Sequence, residues 1–363
     1  MKMQQFQLFK DDTRYAYAVG VIRVLETRLL NSADLQRMLE ADSPQTVLAA
    51  LSDTEYEISL SKVKSEWDFE TALREEMERI YRLTDKLTQD KELTDIFRIK
   101  WDFHNLKVLL KSKYLQSLVD TETRSADVSS PPQPPRQQGV NILVPSGLED
   151  LTELEAAVMS EKSDSRMLPE YLQVAITEVE SEAEMGIDPQ LIDIILDKHA
   201  QSLNYRRAAE YSEFLQEYFQ IAIDLNNIRN FLRVKILNKD RDFLSKVLLD
   251  DGTLKTTLFL NQFDESIENF ARAVKYTHYY ELIKEGLEDW TENHSLATLE
   301  KFSDNYLLNY IKRAKFAILG VEPLLGYLLA KEHEMKLIRI IMIGKLNGLP
   351  SESIRERLRE TYV

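Results

Sequence analysis

The sequence predicts an all-α protein, and three observations support this prediction. Apolar residues recur at intervals of three and four along most of the chain, which is the spacing of one face of a helix. No convincing run shows the apolar–polar alternation of a half-buried strand. Glycine and proline number only ten each among 363 residues, too few for a chain built from many tight β-turns.

The first third of the chain has the pattern of successive amphipathic helices. Ser43 followed by Pro44 is a clear start signal, because serine caps a helix and proline suits its first turn. The helices predicted here cover residues 15–31, 44–51 and 69–87, then run from a break near Asp90 to about Leu118.

Residues 121–138 interrupt the helical pattern. Their sequence, TETRSADVSSPPQPPRQQ, holds four prolines and no aliphatic cluster. This composition predicts an exposed linker that is partly extended or disordered. Residues 141–147 then re-enter the folded chain through a turn. The sequence identifies no role for the proline-rich stretch 131–135.

The remainder is again helical in pattern. Asp188 followed by Pro189 repeats the start signal, and Asp251 followed by Gly252 indicates a turn. Helices are predicted within the acidic stretch 149–188 and over residues 189–203, 206–237, 257–274, 276–293 and 297–318, from 323 to between 344 and 348, and over 350–362.

One segment recurs three times, at residues 102–113, 224–235 and 334–345, as DFHNLKVLLKSK, DLNNIRNFLRVK and EMKLIRIIMIGK. The copies start 122 and then 110 positions apart, close to a third of the chain. Each copy begins with an acid, has a basic residue five positions on and a lysine eleven positions on. The acids are Asp102, Asp224 and Glu334; the basic residues are Lys107, Arg229 and Arg339; the lysines are Lys113, Lys235 and Lys345.

The repeat predicts how the chain is divided. Offsets 0, 3, 4, 7 and 11 fall on one side of a helix, and offset 5 points away from them. Each third therefore has one helix with an apolar stripe, ionic ends and a separate basic flank. We predict a first lobe over residues 1–120, a linker over 121–147, a second lobe over 148–252 and a third over 253–363. This division allows the lobes to exchange terminal helices.

The basic residues Lys107, Arg229 and Arg339 have two interpretations. Each forms an ion pair with a neighbouring helix and fixes packing inside its lobe, or the three surround a common opening and grip or lubricate a central partner. Sequence spacing does not separate the two interpretations.

Motifs for catalysis are absent from the sequence. There is no cysteine, so disulfides, thiolate metal sites and thiol nucleophiles are excluded. The glycine-rich phosphate loops, G-x-S-x-G and H-E-x-x-H do not occur. We therefore expect no catalytic residue, no cofactor and no bound metal.

Charge and hydropathy limit the partners. The net charge of −15 argues against nucleic acid and against an anionic lipid surface. Residues 149–188 hold twelve acids and two bases, and form either a solvated helical face or a docking surface for a basic partner. No segment reaches the roughly 20 apolar residues of a membrane span, and the N-terminus lacks a signal-peptide core. We expect a cytoplasmic protein.

The opening YAYAVGVIRVLETRLLNSADLQRMLEADS, the blocks DFHNLKVLLKSKY and DLNNIRNFLRVKIL, and the last 45 residues from Leu319 resemble the C subunit of prokaryotic A/V-type ATPases. The eukaryotic counterpart is the d subunit of the V-ATPase. The resemblance covers nearly the whole chain. The third block departs from the D-x-x-N pattern, with Glu334 for aspartate and Leu337 for asparagine.

The resemblance implies a funnel-shaped protein of three similar lobes with pseudo-threefold symmetry. Such a protein lies on the cytoplasmic face of the membrane rotor ring of proteolipid subunits and receives the central shaft, made of the D and F subunits. It performs no chemistry, and transmits torque between ATP turnover and the transport of protons or sodium. The alternative is a helical-repeat scaffold that binds proteins, but its usual periods of about 34 to 47 residues are far shorter than this repeat.

Overall fold

The computed structural model describes residues 9–125, 143–160, 165–183, 189–293 and 295–363. All regular elements in these ranges are helices, which confirms the all-α prediction. Residues 121–125, predicted as linker, are helical, because the helix predicted to end near Leu118 continues to Ser125. The predicted linker from 126 to 142, including residues 131–135, lies outside the described residues, as does Asp188.

The helices are numbered in chain order. The first are α1 (Ala16–Glu26), α2 (Ser32–Glu40), α3 (Pro44–Leu51), α4 (Glu57–Leu60), α5 (Phe69–Leu87) and α6 (Lys91–Ser125). They are followed by α7 (Leu151–Met159), α8 (Glu170–Ala183), α9 (Pro189–Tyr211), α10 (Glu213–Ile236) and α11 (Arg241–Val247). The last are α12 (Thr256–Asn261), α13 (Ile267–Ala273), α14 (Tyr280–Asn293), α15 (Ala297–Ile311), α16 (Glu322–Leu346) and α17 (Ser351–Arg357).

Local signals explain several helix ends. The Ser43 hydroxyl accepts the backbone N–H of Thr46 over 3.2 Å, which confirms the predicted start of α3. α5 has the predicted bounds. α16 ends at Leu346, and Gly348 follows with a φ of +66°, a left-handed conformation that glycine adopts without strain.

The prediction of one continuous helix over residues 206–237 is wrong. α9 ends at Tyr211 and α10 begins at Glu213. Ser212 lies between them, and its hydroxyl accepts the backbone N–H of Leu215 over 3.3 Å. The serine caps a new helix at this point, although the apolar periodicity continues through it.

Five other predicted helices are shorter in the structure. The predicted helix 257–274 is divided by Ser266, whose hydroxyl accepts the backbone N–H of Asn269 and caps α13. Asn31 ends no helix; it caps α2 in a capping box with Asp34. α1 ends at Glu26, α14 begins at Tyr280, α15 ends at Ile311 before the 3-10 helix Lys312–Phe316, and α17 ends at Arg357.

The chain forms two compact units. The first comprises the described residues up to Thr94 together with Phe231–Ile236 and Thr257–Val363, and the second comprises Asp95–Asn230 and Leu237–Thr256. In the second unit, α6 packs apolar side chains against α7, α8 and α9. In the first, α16 is buried along most of its length. The division into three lobes stays a prediction.

Candidate functional site

The acid that begins each repeat is buried. Asp102 and Asp224 are 0% exposed and Glu334 is 5% exposed. Buried carboxylates need hydrogen-bond donors, because an unpaired charge away from water is costly. The donors show what the repeat does.

In the first copy, Asp102 binds the segment that leads into α7. The backbone N–H groups of Leu148 and Glu149 donate to its Oδ1 over 2.9 and 3.1 Å. The Tyr171 hydroxyl donates to its Oδ2 over 3.1 Å. One side chain of α6 therefore holds both the chain before α7 and the start of α8.

In the second copy, Asp224 binds the segment that leads into α12. The backbone N–H of Leu254 donates to Oδ1 over 2.9 Å, and that of Thr253 donates to Oδ2 over 3.1 Å. The Thr253 hydroxyl also donates to Oδ2.

In the third copy, Glu334 binds the segment that leads into α2. The backbone N–H of Leu30 donates to Oε2 over 2.5 Å, and the Tyr56 hydroxyl donates to Oε1 over 2.8 Å. The Lys331 ammonium donates to Oε1 over 2.6 Å.

The three sites share one geometry, which we call a clamp: a buried carboxylate of the repeat helix that accepts a backbone N–H two residues before another helix begins. The last clamped amides belong to Glu149, Leu254 and Leu30, and the helices begin at Leu151, Thr256 and Ser32. The clamps of α6 and α10 hold the next third of the chain, and that of α16 holds the first third. Along the sequence the clamps therefore form a closed cycle.

Asparagine at offset 3 strengthens the first two clamps. The Asn105 side chain accepts the N–H of Val144 and donates to its carbonyl, both over 2.8 Å. Asn227 makes the same pair of 2.8 Å bonds with Leu249. These amides pair with the backbone as a neighbouring strand would. In the third copy Leu337 occupies this position and is buried as an apolar residue.

Glycine is required beside the first two clamps. A Cβ atom on Gly147 would lie 2.2 Å from Asp102 Oδ1, and one on Gly252 would lie 2.4 Å from Asp224 Oδ1. Only a residue without a side chain allows the backbone to approach the carboxylate so closely.

The clamps differ in charge. The donors to Asp102 described above are uncharged, and burial raises the pKa of this carboxyl to about 6 against the opposing effect of the Glu149 N–H. Glu334 instead lies beside Lys331, which is 1% exposed and also pairs with Glu76 over 3.1 Å. Burial alone would lower the pKa of Lys331, but Glu334 and Glu76 raise it, so the lysine stays charged.

The lysines at offset 11 contact elements beyond the clamps. Lys113 lies 3.7 Å from Glu180. Lys235 donates to the carbonyls of Phe263 and Glu265, and Lys345 donates to the Ser351 hydroxyl over 2.9 Å.

The basic residues at offset 5 are engaged within the chain. Lys107 pairs with Asp197 over 2.5 Å, and Arg339 pairs with Glu70 over 2.8 Å. Arg229 donates to Asn226 on its own helix. Lys107 and Arg229 lie in the second unit and Arg339 in the first. Lys107 and Arg339 pair with neighbouring helices, but each partner lies in another of the predicted lobes rather than in the same one, and both the packing role and the socket role stay predictions.

Ion pairs follow the same cyclic order as the clamps. α6 pairs with α9 through Lys107 and Asp197, α10 pairs with α15 through Arg233 and Glu300, and α16 pairs with α5 through Arg339 and Glu70. Each repeat helix thus contacts a long helix from the third of the chain that it also clamps.

The sequence analysis did not identify the residues that donate hydrogen bonds to the buried carboxylates or lie against them. Tyr56, Tyr171 and Lys331 give no local signal. Gly147 and Gly252 could have been found, because VPSGLE and LDDGTL place glycine three residues after the residue that pairs with asparagine. Taken singly, each of these segments predicts only a turn.

The described residues contain no group of three or more His, Asp or Glu side chains that could hold a metal ion. Within the same part of the chain, no helix has the length and apolarity needed to cross a bilayer.

Comparison with known proteins identifies the family. The profile of the ATP synthase (C/AC39) subunit family matches residues 18–357. The chain is 27% identical to the C subunit of the V-type sodium ATPase of Enterococcus hirae over 345 residues, which are 94% of this chain and 97% of that protein. It is 26% identical to the C subunit of the A-type ATP synthase of Methanocaldococcus jannaschii, covering 95% of this chain and 86% of that protein. For the corresponding protein of Thermococcus kodakarensis the identity is 24%, covering 96% and 91%. The chain therefore belongs to the ATP synthase (C/AC39) subunit family, as a C subunit of the V/A-type ATPases.

Proposed function

We propose that this chain is the non-catalytic central-stalk subunit of a rotary V/A-type ATPase. It acts as a socket that couples the central shaft, made of the D and F subunits, to the membrane rotor ring of proteolipid subunits. ATP hydrolysis or synthesis is thereby linked to the transport of protons or sodium. The protein lies peripherally on the cytoplasmic side of the membrane. The observation that carries the proposal is the match of residues 18–357 to the ATP synthase (C/AC39) subunit family, and the cyclic order of the three clamps suits a part that transmits torque.

A torque-transmitting part must resist shear between its segments. Each clamp ties a repeat helix to the chain leading into another third, and the third clamp joins residues 304 positions apart. A hydrogen bond to a charged group contributes about 1.5–3 kcal/mol, so separating the segments breaks several such bonds at each clamp. Because the clamps form a closed cycle, each third of the chain both provides one clamp and is held by another.

The spacing of the elements supports three similar lobes, and we propose that these form a funnel with pseudo-threefold symmetry. From the start of the clamped helix to the next repeat acid there are 70 positions in the first third (Ser32 to Asp102), 73 in the second (Leu151 to Asp224) and 78 in the third (Thr256 to Glu334). In this arrangement each lobe receives its clamp from a helix of the preceding one.

Reconstitution tests the proposal. The purified chain is mixed with purified D–F shaft and, separately, with purified rotor ring. We expect binding to both, and we expect ATP hydrolysis to drive ion transport only when the chain is present. Coupled transport without the chain, or no binding to either partner, would contradict the proposal.

The role of the basic flank is tested with the triple variant Lys107→Gln, Arg229→Gln and Arg339→Gln. Lost shaft binding at an unchanged melting temperature supports the socket interpretation. A lower melting temperature with intact binding assigns these residues to packing. Arg355→Gln is a matched control, since Arg355 is exposed and pairs only locally with Glu352 among its described ion pairs.

A further inference from the structure

Residues 358–363, which we call the strap, follow α17 and lie against three other helices of the first unit. The strap has no regular secondary structure, so side chains rather than a helical ladder hold it in place. It is nevertheless well packed, since Thr361 is 7% and Tyr362 is 3% exposed. A segment held in this way can leave its position without the loss of any helix.

The strap contacts both the last and the first third of the chain. At one end the Arg359 guanidinium donates to Asp304 of α15 over 2.9 Å. At the other end the Tyr362 hydroxyl donates to Glu26 of α1 over 3.0 Å, joining residues 336 positions apart. The Lys315 ammonium donates to the Tyr362 carbonyl over 2.6 Å. The strap therefore crosses the same joint as the third clamp, between the two ends of the chain.

A comparison of the second and third repeats shows how the strap is held at its centre. α11 and α17 each begin 17 positions after the acid of their repeat. The strap therefore corresponds to the segment that Asn227 fixes through Leu249. In the third copy Leu337 offers no amide, and the imidazole of His333 contacts the strap instead. Its Nε2 lies 2.8 Å from the Glu360 carbonyl oxygen. An amide that does not titrate is thus replaced by a ring that does.

The hydrogen bond to the strap fixes where His333 takes up a proton. A carbonyl oxygen only accepts, so Nε2 carries the hydrogen of the neutral ring, and acid adds the second proton at Nδ1. The charged groups beside the ring are Asp304 of α15, Lys336 of α16 and Arg359 of the strap. Asp304 already pairs with Lys336 over 2.5 Å and with Arg359 over 2.9 Å. A protonated His333 would be a third cation around one carboxylate.

The other acids near His333 have cations of their own. Glu360 of the strap lies 3.7 Å from Lys312, and Glu334 of the third clamp pairs with Lys331 over 2.6 Å. Glu334, His333 and the strap line a cavity of about 10 Å³, which has room for at most one water molecule. A charged imidazole would therefore be poorly compensated in this position.

The pKa of His333 follows from these surroundings. Burial lowers the pKa most, and Lys336 and Arg359 lower it further, against the opposing effects of the Glu360 carbonyl and Asp304. Once the strap is released, the ring reaches water and its pKa returns toward 6.5. The docked strap thus disfavours the proton. Its attachment is strongest above pH 6.5 and weakens as the pH falls from 6.5 through the lowered pKa.

We propose that the strap is a pH-sensitive latch on the joint between the first and last thirds of the chain, and that protonation of His333 releases it. At neutral pH the latch is closed and Tyr362 holds α1 through Glu26. In acid the strap leaves α15 and α1, and the joint keeps the third clamp and the packing of α1 on α16. This inference concerns the chain alone and does not depend on the proposed function.

Thiol labelling measures the opening of the strap. The chain has no cysteine, so a single introduced cysteine reports on one position. Thr361→Cys places a thiol within the strap, where the side chain is buried. Tyr276→Cys calibrates the reagent, since Tyr276 is 96% exposed in the same unit and its thiolate fraction changes with pH in the same way as that of a released strap. The ratio of the two labelling rates gives the open fraction, and circular dichroism reports helicity at each pH.

Between pH 7.5 and pH 5.5 we expect this ratio to rise at least about threefold at unchanged helicity, toward the limit of about tenfold that a released histidine of pKa 6.5 sets. In His333→Gln, whose amide can still donate to the Glu360 carbonyl, the ratio should stay within about twofold. His278→Gln is the matched control, because it removes an exposed histidine of the same unit and should leave the rise intact.

Three results would overturn the inference: a ratio that does not change with pH, a rise that persists in His333→Gln, or a loss of helicity that accompanies labelling. Hydrogen exchange of residues 358–363 in the chain without cysteine repeats the test in case the new thiol itself loosens the strap. Corrected for the intrinsic exchange rate, protection should fall between pH 7.5 and pH 5.5, and constant protection would also overturn the inference.

Discussion

The buried carboxyl of Asp102 makes the stability of the second unit depend on pH. Its pKa is raised from 3.8 to about 6 by burial. The folded chain therefore holds this proton more tightly than the unfolded chain does. The contribution of Asp102 to the free energy of unfolding is greatest below pH 4, falls as the pH rises from about 4 to 6, and is constant above that. A difference of about two pKa units corresponds to about 3 kcal/mol.

Asp102→Asn removes this dependence. The asparagine oxygen still accepts from the backbone N–H groups, and its amide can donate to the Tyr171 oxygen. We therefore expect the free energy of unfolding of the variant, relative to wild type, to rise by about 2 kcal/mol between pH 4 and pH 7, since part of the full effect lies below pH 4. Urea unfolding at each pH would follow Trp101 in the second unit, with Trp67 and Trp290 replaced by phenylalanine in both proteins.

Asp150→Asn is the control for the direction in which stability changes with pH. Asp150 caps α7, and the N–H groups of Glu153 and Thr152 lower the pKa of its carboxyl. Its contribution is present above pH 4 and is lost as the pH falls, which is the opposite direction. If the difference between wild type and Asp102→Asn is the same at pH 4 and pH 7, the account of the first clamp is refuted.

Two further predictions concern the clamps, and both are read from thermal or urea unfolding. Gly147→Ala and Gly252→Ala should each lower the free energy of unfolding by about 1–3 kcal/mol, because the new Cβ would lie 2.2 or 2.4 Å from a buried carboxylate oxygen. Gly20→Ala is the control and should raise it by about 0.5–1 kcal/mol. Equal effects at the three glycines would contradict the prediction. Lys331→Met should cost about 3–5 kcal/mol, because it leaves Glu334 without its buried cation; a loss below about 1 kcal/mol would mean that the ion pair is dispensable.

Helical periodicity was sufficient to predict the fold class, and local capping chemistry predicted the start of α3 at Ser43 and Pro44. Periodicity did not reveal the division at Ser212, because a hydroxyl that caps a new helix leaves the apolar spacing unchanged. The clamps could not be predicted, since their partners are far apart in sequence: 39 positions for Asn105 and Val144, and 304 for Leu30 and Glu334. The repeat showed that these positions matter but not what they bind.

The third copy departs from the D-x-x-N pattern at two positions, and the structure gives a reason for both. Leu337 stands where the other copies have asparagine and is 1% exposed, so this position buries an apolar side chain, which makes no hydrogen bond to the backbone. Glu334 is one methylene longer than aspartate and reaches Leu30 and Tyr56 from a helix that is buried along most of its length. A buried negative charge needs a compensating cation, and Lys331 supplies it. Lys331 also pairs with Glu76, which in turn pairs with Arg79. The third clamp therefore keeps a backbone amide and a tyrosine hydroxyl as uncharged donors, as in the first clamp, and adds a buried cation within a cluster of two acids and two bases.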